Sequence, residues 1–246
     1  MKFFYAGADQ MLNFNNTRFI TSAPHIGKLP PDSGIEVAFI GRSNAGKSSA
    51  LNAITNIKNL AKTSKTPGRT QLINLFEVKE DCRIVDLPGY GFAQVPLAVK
   101  NKWQKSLTEY LQKRKSLRAL VLIMDIRHPL KDLDRQIMTW ASLSNIEVLI
   151  LLTKADKLKL NELKSALLNV KKSMVEFGSS YKIVPFSSLN RTGVDEVRQI
   201  LSDFYETFHG YSQSEQEGLE YDTEQSDMKE GETVFDDEAW NRYKQE

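Results

Sequence analysis

Glu36-Val37-Ala38-Phe39-Ile40-Gly41-Arg42-Ser43-Asn44-Ala45-Gly46-Lys47-Ser48 decides the fold. Its first five residues form an apolar, β-rich run, and Gly41 to Ser48 then fit the strand, glycine loop and helix pattern that cradles phosphates. The physics asks for each part. Gly41 and Gly46 allow a tight turn, so that successive N–H groups converge on a β-phosphate. Arg42, Ser43, Asn44 and Ala45 supply the intervening backbone. A helix read over 46–56 adds the positive end of its dipole. Lys47 is a flexible cation able to reach β- and γ-oxygens, which gives it a catalytic role, and the Ser48 hydroxyl suits Mg²⁺. This motif selects a nucleoside triphosphate without choosing the base.

Downstream, short aliphatic runs alternate with amphipathic ones. Strands are expected at 36–40, 71–78, 82–86, 118–125, 147–152 and 181–186, and helices at 46–56, 99–115, 131–144, 161–177 and 194–208. Such alternation predicts an α/β fold: a mostly parallel six-stranded sheet with helices on both faces, in three layers. Only Lys79-Glu80-Asp81 separates the second and third strands. No crossover helix fits there, so this pair is read as a hairpin that gives the sheet one antiparallel edge strand.

Two strand ends add chemistry. Asp86-Leu87-Pro88-Gly89 begins 38 residues after Ser48. An acid there can hold magnesium, usually through water, and Gly89 can offer its N–H to a γ-phosphate. Thr153-Lys154-Ala155-Asp156 follows the fifth strand. The Asp156 carboxylate can accept from both N1–H and the 2-amino group of guanine, whereas adenine would leave it unpaired. The Lys154 stem can lie across the base. Phe186-Ser187-Ser188 closes the series, with backbone N–H groups for the guanine oxygen. GTP or GDP is therefore the expected ligand; an ATP-dependent phosphate-loop kinase or ATPase is the rival.

Together these segments resemble a translational-factor-class P-loop GTPase. Thr63 to Phe76, Asp86 to Ala93 and Met124 to Asp132 further resemble the EngB (YihA) family of bacterial GTPases, over about residues 15–208. The resemblance implies that Gly68, Arg69, Thr70, Gln71 and Leu72 form a first switch. In it Thr70 would be the second side-chain magnesium ligand, beside Ser48, and a catalytic residue. It implies that Asp86 to Gly89 form the second switch, and that Thr153 to Asp156 with Phe186 to Ser188 enclose the base. It also implies GTP hydrolysis, a role in large ribosomal subunit assembly with rRNA and ribosomal proteins as partners, and a link to cell division and septation. Asn44 has two readings: a loop cap, or recruitment of a potassium ion as in related GTPases. Tyr90 stands where signalling GTPases carry a water-orienting Gln, so slow intrinsic hydrolysis is expected.

The chain of 246 residues carries a net charge of only +2. That figure averages two unlike pieces. Residues 210–246 hold 12 acidic and 3 basic residues, leaving 30 Lys+Arg against 19 Asp+Glu in 1–209. The basic body favours a polyanionic partner. The acidic stretch is poor in aliphatics and is read as a disordered tail. Residues 35–209 form the GTPase domain, and 1–34, with several Pro and Gly, an irregular lead-in. No run is long enough to span a membrane, no signal-peptide core is evident, and a single cysteine, Cys82, suits a reducing compartment. A cytoplasmic monomer is expected. A switch that docks on a membrane or division complex, with no RNA partner, is the alternative.

Overall fold

The computed structural model describes residues 11–61, 72–91, 97–178 and 181–218. Seven strands form one sheet: β1 (Arg18–Ala23), β2 (Ile35–Gly41), β3 (Ile73–Lys79), β4 (Cys82–Asp86), β5 (Leu117–Asp125), β6 (Glu147–Thr153) and β7 (Tyr181–Pro185). Their order is β1-β3-β4-β2-β5-β6-β7. The helices are α1 (Lys47–Thr55), α2 (Leu97–Lys113), α3 (Asp132–Leu143), α4 (Leu160–Met174) and α5 (Val194–Gly218).

Strand β2 is buried along its whole length. Its residues alternate between two cores, as a period of two requires. Val37 and Phe39 pack with Leu51 and Ile54 of α1 and with Val197 and Leu201 of α5. Ala38 and Ile40 pack with Tyr110 of α2, Ile137 of α3 and Val170 of α4. The sheet is thus covered by two helices on one face and three on the other. A strand flanked in this way reads as a continuous apolar run, which is why 36–40 was legible.

The pairings β2–β4, β2–β5, β5–β6 and β6–β7 are parallel, and β3 runs antiparallel to β4. The expected hairpin is therefore present. A seventh strand joins outside it, because β1 pairs antiparallel with β3. The lead-in read as irregular thus contributes a strand. Its residues from Arg18 to Thr21 are mostly exposed and lack an apolar alternation, so nothing in their pattern announced it. At the other end α5 continues beyond residue 209 to Gly218, entering the stretch read as tail. A packed helix extends readily into Gln, Glu and Ser, since propagation costs far less than nucleation. Residues 219–246 lie outside the described residues.

At the end of the sheet opposite the phosphate loop, Glu36 is fully buried. It accepts from Arg114 Nη2 at 2.6 Å and from the Tyr110 hydroxyl at 2.8 Å. Arg114 also donates to the Pro30 carbonyl at 3.0 Å. This satisfied network fixes the end of α2 to the chain entering β2. Because the parallel strands share a direction, Gly41, Asp86, Asp125, Thr153 and Pro185 finish at one rim, where ligands of open α/β sheets bind.

Candidate guanine nucleotide site

Gly41 and Gly46 are required for different reasons. A Cβ on Gly41 would lie 2.5 Å from the Ile123 carbonyl oxygen, so β5 leaves no room for one. Gly46 has φ +100° with only ordinary contacts around its missing Cβ; there the backbone conformation itself excludes a side chain. Gly46 caps α1, so the N–H groups of Lys47 and Ser48 open the helix and have no partner within it. Ala45 N–H donates to the Arg42 carbonyl at 3.0 Å, which closes the turn.

Lys47 pairs with Asp86 Oδ1, both side chains being largely buried. Asn74 Nδ2 donates to the other Asp86 oxygen at 3.3 Å, and Ser22 Oγ on β1 reaches Asn74 Oδ1 at 2.6 Å. The strand missed in the sequence therefore supports the acid behind the phosphate loop. Ser48 follows Lys47 in the first turn of α1, so a hydroxyl and the Asp86 carboxylate are the oxygen donors these segments offer. Hard oxygen donors of this kind fit Mg²⁺. Gly68, Arg69, Thr70 and Gln71 lie outside the described residues, and Leu72, at 39% exposure, precedes β3.

Gly89 rests on the phosphate loop, where a Cβ would come 3.3 Å from the Gly41 carbonyl. Leu87 and Pro88 are buried, and Leu87 N–H donates to the Phe39 carbonyl at 3.0 Å. These two hold the segment while Asp86 and Gly89 carry its polar groups.

The loop after β6, expected to read the base, is bound to the phosphate loop. Thr153 Oγ1 donates to the Ala45 carbonyl and lies 3.0 Å from that of Met124. Lys154 Nζ donates to the Asn44 carbonyl at 2.8 Å and pairs with Asp125 Oδ2 at 2.9 Å. Arg127 also grips Asp125, and the Arg127 and Lys154 hydrogen bonds hold that carboxyl far below the usual range despite partial burial. Asn44 has φ 62°, a conformation Asn tolerates. Among the described residues nothing hydrogen-bonds its side chain, and the left-handed backbone makes the turn.

Asp156 accepts from Ser187 Oγ at 2.6 Å, and this bond, ahead of the opposing effect of desolvation, draws its pKa down. The carboxylate is thereby oriented and ionised. Ala155 N–H donates to the Phe186 carbonyl at 3.1 Å, and Ser187 N–H to the Thr192 carbonyl at 3.0 Å. Of the amides expected for the guanine oxygen, that of Ser187 is thus committed within its own loop, which leaves the exposed Ser188. The Phe186 ring is buried in the core, so its contribution is backbone and packing. Asp125 was not singled out in the sequence. Its signal lies in the register, since Asp125 pairs with Thr153 across β5 and β6.

Among the described residues no cluster of His, Cys, Asp or Glu could hold a metal, and no helix is long and apolar enough to cross a membrane. Burial raises the Cys82 thiol to about 11, leaving it unreactive at neutral pH.

The likenesses agree with this geometry. A family profile described as "50S ribosome-binding GTPase" matches residues 36–154. The "Probable GTP-binding protein EngB" of Tolumonas auensis is 63% identical over 196 residues, spanning 80% of this chain and 92% of the relative. The protein of the same description from Vibrio vulnificus (strain YJ016) is 61% identical over 207 residues, spanning 84% and 96%. Among solved structures, a probable GTP-binding protein engB shares the fold at TM-score 0.57 and 20% identity, covering 70% of this chain and 99% of that one. With a complete phosphate loop after β2, the oriented Asp156 carboxylate in the turn after β6 and relatives this similar over most of its length, the chain belongs to the EngB family of GTP-binding proteins and is a GTPase.

Proposed function

We propose that the protein is a slow, Mg²⁺-dependent GTP switch that serves assembly of the large ribosomal subunit in the cytoplasm, acting as a monomer, with consequences for cell division and septation. The observation that carries the reading is the bracing of both halves of the nucleotide site against each other: Thr153 and Lys154 of the base loop hold the carbonyls of Ala45 and Asn44. A triphosphate bound there is read at both ends by one rigid body.

Lys47 and the first amides of α1 bind the phosphates, and Gly89 senses the γ-phosphate. Ser48 and Asp86 would hold magnesium, with Thr70 of the first switch. When bound, that ion neutralises charge on the β- and γ-oxygens. Asn44 of the same loop would recruit a potassium ion that adds to this neutralisation; faster hydrolysis in KCl than in NaCl is expected, and equal rates exclude it. The ribosomal partner is supported by the description of the matching profile and by the basic body, 30 Lys+Arg against 19 Asp+Glu. Counter-ion release makes RNA contacts weaken steeply between about 50 and 200 mM salt.

Sedimentation with purified large subunits tests the reading. Binding should be strong with a non-hydrolysable GTP analogue, weak with GDP, and lost as salt rises. Equal binding in both nucleotides, or sedimentation with anionic vesicles in place of subunits, would overturn it.

A further inference from the structure

Tyr90 directly follows Gly89, so the residue just after the second switch has a side chain that cannot orient water. Its position shows what it does instead. The ring is buried, and its hydroxyl donates to Asp134 Oδ1. Asp134 is the third residue of α3 and is itself 1% exposed. Its other oxygen accepts the Lys131 N–H at 2.8 Å, capping that helix. On the main chain, Tyr90 N–H donates to the Gly41 carbonyl at 3.1 Å, and the Tyr90 carbonyl accepts from Ser43 N–H at 2.7 Å. Tyr90 is therefore held at two points by the phosphate loop and at a third by α3, and Gly89 lies between these attachments and Asp86.

A phenol and a carboxylate are an expensive way to fill a core. Burial raises the pKa of both groups, and the Tyr90 bond, the Lys131 amide, and the charges of Arg42 and Lys131 only partly relieve Asp134. A Phe against an apolar residue would occupy the volume without that cost. What the polar pair adds is a fixed address, because the hydroxyl bonds only when the ring sits at one depth and angle.

We propose that Tyr90 is a positioning residue for GTP: its bond to Asp134 holds Gly89 against the phosphate loop, ready for the γ-phosphate, and ties that contact to α3. With the bond present, the ordering of Gly89 is completed before the nucleotide arrives. Without it, a triphosphate must order the segment on binding, whereas GDP, which does not reach Gly89, is unaffected.

Tyr90→Phe removes one oxygen and keeps the ring, and GDP binding by the variant reports that it is folded. Titration with fluorescent nucleotides should show affinity for a non-hydrolysable GTP analogue reduced about three- to tenfold, the net worth of one hydrogen bond, with GDP affinity changed less than about twofold. Single-turnover hydrolysis should slow in parallel. Asp134→Asn, with one acceptor for two donors, should give the same triphosphate-specific loss. The double variant should lose no more than the worse single one, as members of one contact do. Equal losses for GDP and the analogue, or no change in their ratio, would overturn the proposal, since packing alone predicts one or the other. The inference rests on Gly89 meeting the γ-phosphate, which Gly89→Ala tests separately. If that variant leaves analogue affinity intact, the contact itself is wrong. If it lowers analogue affinity and Tyr90→Phe does not, the attachment to α3 is wrong.

Discussion

The neighbours of Asp156 leave it ionised and aimed, as the proposed reading of guanine requires. Ser187 Oγ fixes one carboxylate oxygen at 2.6 Å, and Lys157 lies 3.3 Å from the other. Asp156→Asn exchanges an acceptor for a donor, which then faces the 2-amino group of guanine. Competition against a fluorescent guanine nucleotide should show GTP weakened by about 100-fold or more, with xanthosine triphosphate, a carbonyl at that position, bound better. Tyr90 sets a second expectation. Its buried ring cannot orient an attacking water, so the isolated protein should turn over at ~10⁻⁴ to 10⁻³ s⁻¹; a single-turnover rate above ~1 s⁻¹ contradicts this. Most of the candidate site was legible at this scale because phosphate and guanine recognition would each need particular residue types at fixed offsets from strand ends. Asp125 was not, because its partner Lys154 is 29 residues away and only strand pairing makes them neighbours. Nor could a motif reveal that the Ser187 amide is spent on Thr192, which depends on how the following turn closes.

Among the elements, buried parallel strands were plain from composition alone, and the β3–β4 hairpin followed from a connection too short for anything else. The edge was opaque. Strand β1 has solvent on most of its residues and takes its order from β3, so its sequence carries little of the information that places it. Close approach is the other property that a pattern hides. The glycine ending β2 looks like a turn residue, yet its constraint is the carbonyl of Ile123 on the next strand, 2.5 Å from where a Cβ would stand. Gly41→Ala should force β2 and β5 apart and cost about 1–3 kcal/mol, read as a lower urea midpoint with unchanged slope. A midpoint equal to that of the parent would show that the strands yield without strain.

For the whole molecule, charge is organised by position more than by total. Asp32, Asp125 and Asp156 all have pKa values below the ordinary 3.8. A carboxylate depressed in the folded state contributes stability that is complete above 3.8 and is lost as pH falls through the folded value. Asp134 runs the other way: its raised pKa contributes stability below 3.8 that is lost as pH rises through the folded value. Below about pH 4 only the three depressed groups still change their contribution, so the melting temperature should drop there. A melting temperature that fails to fall below about pH 4 contradicts this, whereas a rise on acidification from about pH 7 toward 4 reports the buried Asp134. The sheet order also governs how the chain can be built. Strand β1 pairs with β3, and β2 pairs with β4 and β5, so the first two strands made are not partners of each other. A nascent chain halted before residue 73 therefore has its phosphate loop but no sheet to hold it. It gains one only when the β3–β4 hairpin emerges and slots between the two strands already waiting.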